Sequence, residues 1–167
     1  HDSAMKPSTK SASAFLATAS TVMISTNNVL GANEKLGIGF IGVGGRGGSH
    51  VWTVKKLIES GEPARIVAVC DAYGYRREEA AKITGGKLHT KHHDLLADRD
   101  VDVVCIATPD RLHVPQAIDA IRAGKDVYCE KPMGHWSQTA LRKQFYYETK
   151  RLNRIVQIGN QANSSPE

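Results

Sequence analysis

The sequence has few cysteines. Its three cysteines, Cys70, Cys105 and Cys129, are widely spaced along 167 residues. An odd number at such spacing fits neither a disulfide framework nor a zinc site. Each cysteine lies in or at the end of an apolar segment, so we expect all three to be buried thiols in the core.

The sequence also lacks a membrane-spanning run and a one-sided charge. The apolar run Ala14–Ile24 is too short, and too rich in serine and threonine, to span a bilayer. The net charge of +5 comes from lysines and arginines scattered along the chain rather than grouped on one face. This pattern favours neither a nucleic-acid partner nor a membrane partner. The length and composition instead fit one soluble globular domain.

Residues 1–33 are interpreted as a leader. His1–Ala4 resemble a purification remnant ahead of Met5. Lys6 and Lys10 then precede the apolar run, and small residues near position 31 offer a cleavage site, as in an export signal. The arginine pair of a twin-arginine signal is absent. The alternative is a disordered leader on a protein that stays in the cytoplasm.

From residue 34 to residue 160, apolar segments alternate with helix-like segments. The candidate strands are apolar on consecutive residues, which is typical of parallel strands buried on both faces: Leu36–Ile41, Arg65–Cys70, Val101–Ala107, Asp126–Cys129 and Arg154–Ile158. The predicted helices between them are Gly48–Ser60, Arg76–Ile83, His113–Ala123 and Ser137–Lys150, with a weaker strand at Leu88–Thr90 and a short helix at His93–Ala97. This alternation predicts an α/β fold, a doubly wound Rossmann-type and mostly parallel sheet with helices on both faces.

The glycine-rich loop after the first strand is the most informative motif. In the pattern Gly42-x-Gly44-x-x-Gly47, the first glycine allows a tight turn and the second lets backbone approach a pyrophosphate. The third lets the next helix pack closely on the strand, so that its N-terminal N–H groups point at the phosphates. The loop predicts a dinucleotide site that includes Gly45 and Arg46.

Asp71 ends the second strand, somewhat beyond the rough 20-residue spacing expected of the acidic residue in a dinucleotide fingerprint. A carboxylate there accepts hydrogen bonds from both ribose hydroxyls and repels a 2′-phosphate, which favours NAD over NADP. The alternative is that Asp71 only caps the next helix. Arg76 and Arg77 follow closely and could hold a phosphate instead, but NAD remains the prediction.

Polar residues also follow the next predicted strand, at the sheet edge where open α/β sheets bind ligands. Pro109 ends this strand, while Thr108 and Asp110 either cap the next helix or meet the cofactor. His113 is either a surface residue in the first turn of that helix or a functional group. Thr108, Pro109 and His113 are included in the predicted cofactor site.

Glu130 and Lys131 close the following strand, ahead of Pro132. Such a pair is often just a solvated surface pair, but its place at the end of a buried strand favours a functional role. The lysine could donate to a substrate hydroxyl or carbonyl oxygen and favour the alkoxide-like charge that builds as hydride moves. Lys131 is therefore the predicted catalytic residue, and both residues are placed at the cofactor.

Three histidines, His89, His92 and His93, raise the question of a metal site. Asp94 is the only carboxylate that joins them at ligand spacing, and the histidines straddle a predicted strand-to-helix turn. The sequence therefore predicts no metal site.

Taken together, these motifs resemble the Gfo/Idh/MocA oxidoreductase family. The resemblance runs from Leu36 to about Ser165 and is carried, in order, by the glycine loop, Ala-Val-Cys-Asp71, Ile-Ala-Thr-Pro-Asp110 with His113, and Gly-Lys-Asp-Val-Tyr-Cys-Glu-Lys-Pro132. The Glu-Lys-Pro element is the specific part. The resemblance implies NAD(P)-dependent hydride transfer on sugars, cyclitols or related polyols.

The resemblance also implies roles for single residues. The three loop glycines would hold the pyrophosphate and Asp71 the ribose. Thr108 and His113 would border the nicotinamide, with Glu130 and Lys131 beside the nicotinamide and the substrate. In the family, the proline that matches Pro132 commonly follows a cis peptide bond.

The sequence departs from the family in its length. Members continue into a second α+β domain that carries most substrate contacts and the general acid/base, usually a histidine, whereas this sequence stops at Glu167. Residues 161–167 are interpreted as the start of a linker. On this sequence alone we expect dinucleotide binding with slow or no turnover of a carbohydrate-like substrate. A sheet surface left bare would also favour a homo-oligomer.

Two other functions remain open at this point. Leaders of this kind are common among exported bacterial members of the family, and some of those are NAD-dependent glycosidases that oxidise, eliminate and re-reduce. The other alternative is a non-catalytic NAD-sensing or interaction module.

Overall fold

The computed structural model describes residues 35–134 and 136–159, in which strands and helices alternate along the chain. The strands are β1 (Leu36–Ile41), β2 (Ala64–Cys70), β3 (Lys87–His89), β4 (Val103–Ile106), β5 (Asp126–Glu130) and β6 (Val156–Gly159). The α-helices are α1 (Gly45–Glu59), α2 (Gly74–Thr84), α3 (His92–Ala97), α4 (Asp110–Arg122) and α5 (Thr139–Leu152), and a 3-10 turn (Trp136–Gln138) precedes α5. The interpreted leader, residues 1–33, and the linker residues 161–167 lie outside the described residues.

The six strands form one parallel sheet in the order β3-β2-β1-β4-β5-β6. This confirms the predicted doubly wound Rossmann-type fold. The chain winds one way from β1 through β3 and then returns to β4 on the other side of β1. The loops after β1 and β4 therefore diverge and leave a crevice at their carboxyl ends, which is where such sheets bind ligands.

Apolar side chains cover both faces of the sheet. On one face, the alternate β1 residues Leu36, Ile38 and Phe40 pack with Val51 and Val54 of α1. On the other face, residues of β4 and β5 pack with α3, α4 and α5. The three cysteines are buried free thiols, as predicted, and burial raises the pKa of Cys70 to about 11.

Three helices begin two or three residues earlier than the sequence pattern indicates. α1 begins at Gly45 rather than Gly48, and α4 at Asp110 rather than His113. These first turns are glycine-rich or polar and carry no apolar period, because the sheet edge rather than the core lies beside them. In the described part of the chain, no helix combines the length and apolar character needed to cross a membrane.

Candidate functional site

A cavity of about 700 Å³ lies at the carboxyl ends of β1, β2 and β4. The loops after these strands line it, together with the loop between β3 and α3 and one face of α4. Its size is within the usual range for small-molecule and cofactor sites. The cavity thus occupies the crevice that the strand order predicts.

The glycine loop forms the floor of this cavity, and two of its glycines are required by geometry. Gly42 has a φ of +83°, in the left-handed region, and its N–H donates to the Cys70 carbonyl at 2.7 Å. A Cβ added at Gly47 would lie 1.9 Å from the Gly42 carbonyl oxygen. The closeness of α1 to the end of β1 therefore depends on the absence of side chains here.

The first turn of α1 offers backbone donors to the cavity. Its N-cap residue, Gly44, makes no side-chain capping bond, and the first turn contains no acidic residue. The first N–H groups of a helix have no intrahelical partners, and the helix dipole makes this end positive. The turn therefore fits an anionic ligand such as a diphosphate.

Asp71 ties the glycine loop to the neighbouring strand end. Its side chain is buried in the wall of the cavity, where Oδ2 accepts from the Val43 N–H and Oδ1 from the Tyr73 N–H, each at 2.9 Å. The bond to Tyr73 orders the turn before α2, but Tyr73 is itself the N-cap residue and no side chain caps this helix, so Asp71 is not a helix cap. Because a carboxylate has about four acceptor positions, two further hydrogen bonds remain possible on the cavity side.

The two arginines after Asp71 have different environments. Arg77 donates from Nη1 to the carbonyls of Asp71 and Ala72 and is not among the residues that line the cavity. Arg76 lines the cavity, with its Cζ 4.7 Å from the centre of the Tyr73 ring. Arg76 is thus the arginine of the pair that can meet a bound ligand.

A smaller pocket of about 250 Å³ adjoins the cavity. It brings together Thr108 and His113 from one predicted motif with Glu130 and Lys131 from another. Arg46, Ala107 and Thr108 line both spaces, so a ligand in the cavity can reach the smaller pocket. Pro109 precedes α4 as its N-cap residue and lines the large cavity.

Glu130 is buried at the end of β5 and is bound by two residues of α1. Its Oε1 accepts from Arg46 Nε at 3.0 Å and from His50 Nε2 at 2.7 Å, while Oε2 accepts from the Lys131 N–H at 3.2 Å. Burial opposes the charged form, but the bonds from Arg46 and His50 outweigh it and hold the pKa of Glu130 below its ordinary value. Glu130 is therefore a carboxylate at neutral pH.

Sequence reasoning missed His50. Burial lowers its pKa and outweighs the opposing hydrogen bond to Glu130, so its ring is neutral at neutral pH and donates through Nε2–H. The available signal was its spacing from Arg46, because residues four apart on a helix share a face. Its partner, however, is 80 residues away in the chain.

His113 is buried, so the surface alternative for this residue is wrong. Its Nδ1 lies 2.9 Å from the Pro132 carbonyl oxygen and its Nε2 lies 2.7 Å from the Thr108 carbonyl oxygen. The ring therefore joins the loop after β4 to the loop after β5. The Lys131–Pro132 peptide bond is cis, as the family resemblance implied.

Lys131 is an exposed residue at the edge of the smaller pocket. Its backbone is fixed on one side by the bond to Glu130 and on the other by the contact between Pro132 and His113. Thr108, opposite, donates its hydroxyl to Gln116 Oε1 at 2.7 Å. The pocket thus presents one lysine beside a carboxylate that other residues already neutralise.

The strand order, the glycine turn and the crevice at the switch point define a dinucleotide-binding Rossmann domain. Residues 36–159 match the sequence model of the Gfo/Idh/MocA family, described as an oxidoreductase family with an NAD-binding Rossmann fold. The chain belongs to this family and carries its NAD-binding domain.

Individual relatives agree with this assignment. An inositol 2-dehydrogenase from Rubrobacter xylanophilus is 31% identical over 137 residues, which cover 82% of this chain and 38% of the relative. The crystal structure of myo-inositol 2-dehydrogenase from Lactobacillus plantarum has a TM-score of 0.66 at 26% identity, over 75% of this chain and 36% of that one. The WlbA dehydrogenase from Chromobacterium violaceum, solved with NADH and UDP-GlcNAcA, has a TM-score of 0.69 at 25% identity, over 78% of this chain and 37% of that one. This chain therefore spans less than two fifths of the length of these relatives.

Proposed function

We propose that this chain binds NAD in the 700 Å³ cavity, as the cofactor domain of an enzyme that transfers hydride between the nicotinamide and a cyclitol or sugar carbon. One observation carries the proposal. The uncapped first turn of α1 and the Asp71 carboxylate face the same cavity from adjacent strand ends. These are the two groups that a diphosphate and a ribose diol require.

The cofactor fits the residues present. A side chain at Gly47 would collide with the loop, and a Cβ at Gly44 would lie 2.8 Å from the Arg76 guanidinium. The glycines thus leave room for the diphosphate above the first N–H groups of α1, with Arg46 beside it. The adenosine ribose would meet Asp71, and the nicotinamide would point toward Thr108 and the smaller pocket.

The nicotinamide ring, when bound, supplies the hydride acceptor or donor. The residues of the chain would orient the substrate and stabilise the negative charge that develops on its oxygen. Lys131 would donate a hydrogen bond to the substrate oxygen and stabilise the alkoxide-like charge on it. Glu130 would position Lys131 by accepting from its backbone N–H, while Arg46 and His50 stabilise the charge of the Glu130 carboxylate. His113 would fix the other side of Lys131 through Pro132.

The preference for NAD rests on Asp71. A 2′-phosphate would lie next to this carboxylate, and the repulsion disfavours NADP. Arg76 works against this preference, because it lines the same cavity and can pair with a phosphate. We expect the discrimination to favour NAD and to be reduced by Arg76.

A carbohydrate-like substrate is the proposal that the relatives support, since inositol is named in several of them. Lys131 at the rim of a polar pocket suits a hydroxylated ring carbon. The test uses the protein with the full coding sequence of its gene, incubated with NAD and either myo-inositol or an aryl glycoside. Formation of NADH with inositol supports the dehydrogenase.

The same assay separates the alternatives. Release of the aryl group without net NADH would identify a glycosidase, and tight NAD binding without turnover of either substrate would identify a binding module. Lys131→Met in that protein is expected to lower kcat by about 10²-fold or more while leaving NADH binding within about threefold. A full loss of NADH binding in this variant would contradict the role of Lys131 as a group acting on substrate.

We also propose export of the native protein, on the evidence of Lys6 and Lys10 ahead of the apolar run Ala14–Ile24. The mass and N-terminal sequence of the protein, purified from its host cell after fractionation, test this. A mature N-terminus near residue 32 in the periplasm supports export. An intact leader in the cytoplasm contradicts it.

Self-association is proposed for the side of the sheet that carries β6. Within residues 35–134 and 136–159, this strand is the outermost one on that side, and Tyr146 and Tyr147 of α5 are 59% and 68% exposed. An open strand edge and exposed aromatics favour contact with a second copy. Sedimentation that shows only monomer at high concentration would contradict this proposal.

A further inference from the structure

Two histidines and a carboxylate meet beside the cavity, and the proposed function uses none of them. His92 and His93 begin α3, while Asp119 lies 27 residues beyond His92, in α4. His92 Nε2 is 2.9 Å from Asp119 Oδ2, and His93 Nε2 is 3.9 Å from the same oxygen. One ligand atom from each of the three residues lies within 4.8 Å of the other two.

These separations suit a small metal ion. Zn²⁺ binds imidazole nitrogen and carboxylate oxygen at roughly 2.0–2.2 Å, so two ligands of a tetrahedral ion lie about 3.3 Å apart. The observed distances of 2.9 and 3.9 Å lie on either side of this value. The His93 side chain is 66% exposed and can move to close the difference, while His92 and Asp119 are 22% and 31% exposed.

The third ligand comes from a distant part of the chain, not from the carboxylate that the sequence spacing offers. Asp94, the carboxylate nearest to the histidines in sequence, is not part of the cluster. Asp119 follows Leu112 and Gln116 on one face of α4, and both of these line the cavity. Arg122, one turn beyond Asp119, donates to Glu148 at 2.8 Å instead. The Asp119 carboxylate is thus directed to the histidines.

We propose that His92, His93 and Asp119 bind a first-row transition metal ion of the Zn²⁺ type, with water completing the coordination. Two imidazoles and one carboxylate suit Zn²⁺, Co²⁺ or Ni²⁺, whereas Ca²⁺ and Mg²⁺ take oxygen ligands. The ion would join the start of α3 to α4. Since His92 and His93 also line the cavity, the ion would stiffen one cavity wall. This site is independent of the proposed function.

The test is calorimetric titration of the full chain with ZnCl₂, before and after three substitutions. Wild type is expected to bind one equivalent saturably. Asp119→Asn and His93→Ala are each expected to weaken binding by at least about tenfold, since even indirect partners of a metal site contribute this much. Asp94→Asn is the matched control, because it removes a nearby carboxylate outside the cluster, and it is expected to bind as wild type does. Melting temperatures without metal check that each variant folds.

Cobalt gives a second readout. Co²⁺ bound by two imidazoles and a carboxylate has visible d–d bands that differ in position and intensity from those of aqueous Co²⁺. This change is expected in wild type and in Asp94→Asn and is expected to be lost in His93→Ala, a change at a mostly exposed side chain. Failure of wild type to saturate with millimolar Zn²⁺ would overturn the proposal. Unchanged affinity in both Asp119→Asn and His93→Ala would overturn it as well, because the metal would then be held by other residues.

Discussion

The imidazole of His50 donates to the carboxylate of Glu130 at 2.7 Å, across 80 residues of sequence. His50 lies in the helix that follows the glycine loop, and Glu130 is the last residue of β5, beside Lys131. The contact, together with that of Arg46, joins the part of the proposed site that would hold the diphosphate to the part that would hold the substrate. A substitution in the first turns of α1 is therefore expected to disturb the position of Glu130 and Lys131 as well.

This pair predicts a loss of stability in acid that proceeds in two stages. The folded protein lowers the pKa of both groups, so the unfolded chain binds protons more readily and stability falls as pH falls. The contribution of His50 is present above its ordinary value of 6.5 and is lost as pH drops through the lowered pKa. The contribution of Glu130 is present above 4.5 and is lost below it.

Urea unfolding from neutral pH down to just above pH 4.5 isolates the first stage. We expect His50→Gln to flatten this part of the profile, because the variant lacks the ring whose pKa is lowered in the folded protein. An identical slope in wild type and His50→Gln would show that His50 contributes no acid sensitivity.

Packing at the glycine loop makes opposite predictions for two nearby glycines. Gly47→Ala places a methyl group 1.9 Å from the Gly42 carbonyl oxygen. Overpacking typically lowers the free energy of unfolding by about 1–3 kcal/mol, and we expect this variant to lie at the upper end of that range. Gly45→Ala meets no atom within 4 Å at the start of α1, and is expected to be neutral or to stabilise by up to about 1 kcal/mol. Thermal unfolding of both variants measures the difference, and equal stabilities would contradict the close packing of α1 on β1.

Removal of the Asp71 carboxylate is expected to affect both stability and cofactor choice. Asp71→Ala leaves the N–H groups of Val43 and Tyr73 without their acceptor, at a cost of about 1–3 kcal/mol. Glu78→Ala, at an exposed carboxylate of α2, is the control and is expected to stay within about 0.5 kcal/mol of wild type.

In fluorescence titrations of Asp71→Ala, NADH is expected to lose about 1–3 kcal/mol of binding free energy, while NADPH loses less. The titrations use conditions in which both the wild type and Asp71→Ala are folded. Equal losses for the two cofactors would leave Asp71 as an organiser of the loop and the turn, with no part in discrimination.

His113 is predicted to position Lys131 through its contact with the Pro132 carbonyl. His113→Leu keeps an apolar volume but leaves the carbonyls of Thr108 and Pro132 without the ring, so we expect a loss of about 1–3 kcal/mol in stability. Backbone NMR shifts are expected to change most at Thr108 and at 131–134, on both sides of the lost contact. Changes confined to one of these two loops would contradict the bridging role.

The fold was predictable because its signals are local. Consecutive apolar residues such as those of β1 mark strands buried on both faces, and glycines at 42 and 47 mark a turn that excludes side chains. Asp71 and Lys131 could be placed from sequence for the same reason, since each directly follows a buried strand. All carboxyl ends of a parallel sheet lie at one edge, so order along the chain was enough.

The contacts between distant elements were not predictable from these patterns. His50 and Asp119 are polar residues on helix faces and belong to none of the predicted motifs, and each is bound by a partner from another element. The burial of His113 was hidden for a similar reason. Its ring points inward because the carbonyls of Thr108 and Pro132 meet there, and nothing within the first turn of α4 indicates this.

The most direct measurement is titration of this chain with NADH, followed by nicotinamide fluorescence, with ADP-ribose as competitor. We expect saturable one-site binding below millimolar cofactor, and displacement by ADP-ribose, because the diphosphate and the adenosine ribose make the contacts proposed here. A signal that stays linear to millimolar NADH, or binding that ADP-ribose does not displace, would contradict a dinucleotide lying across the start of α1.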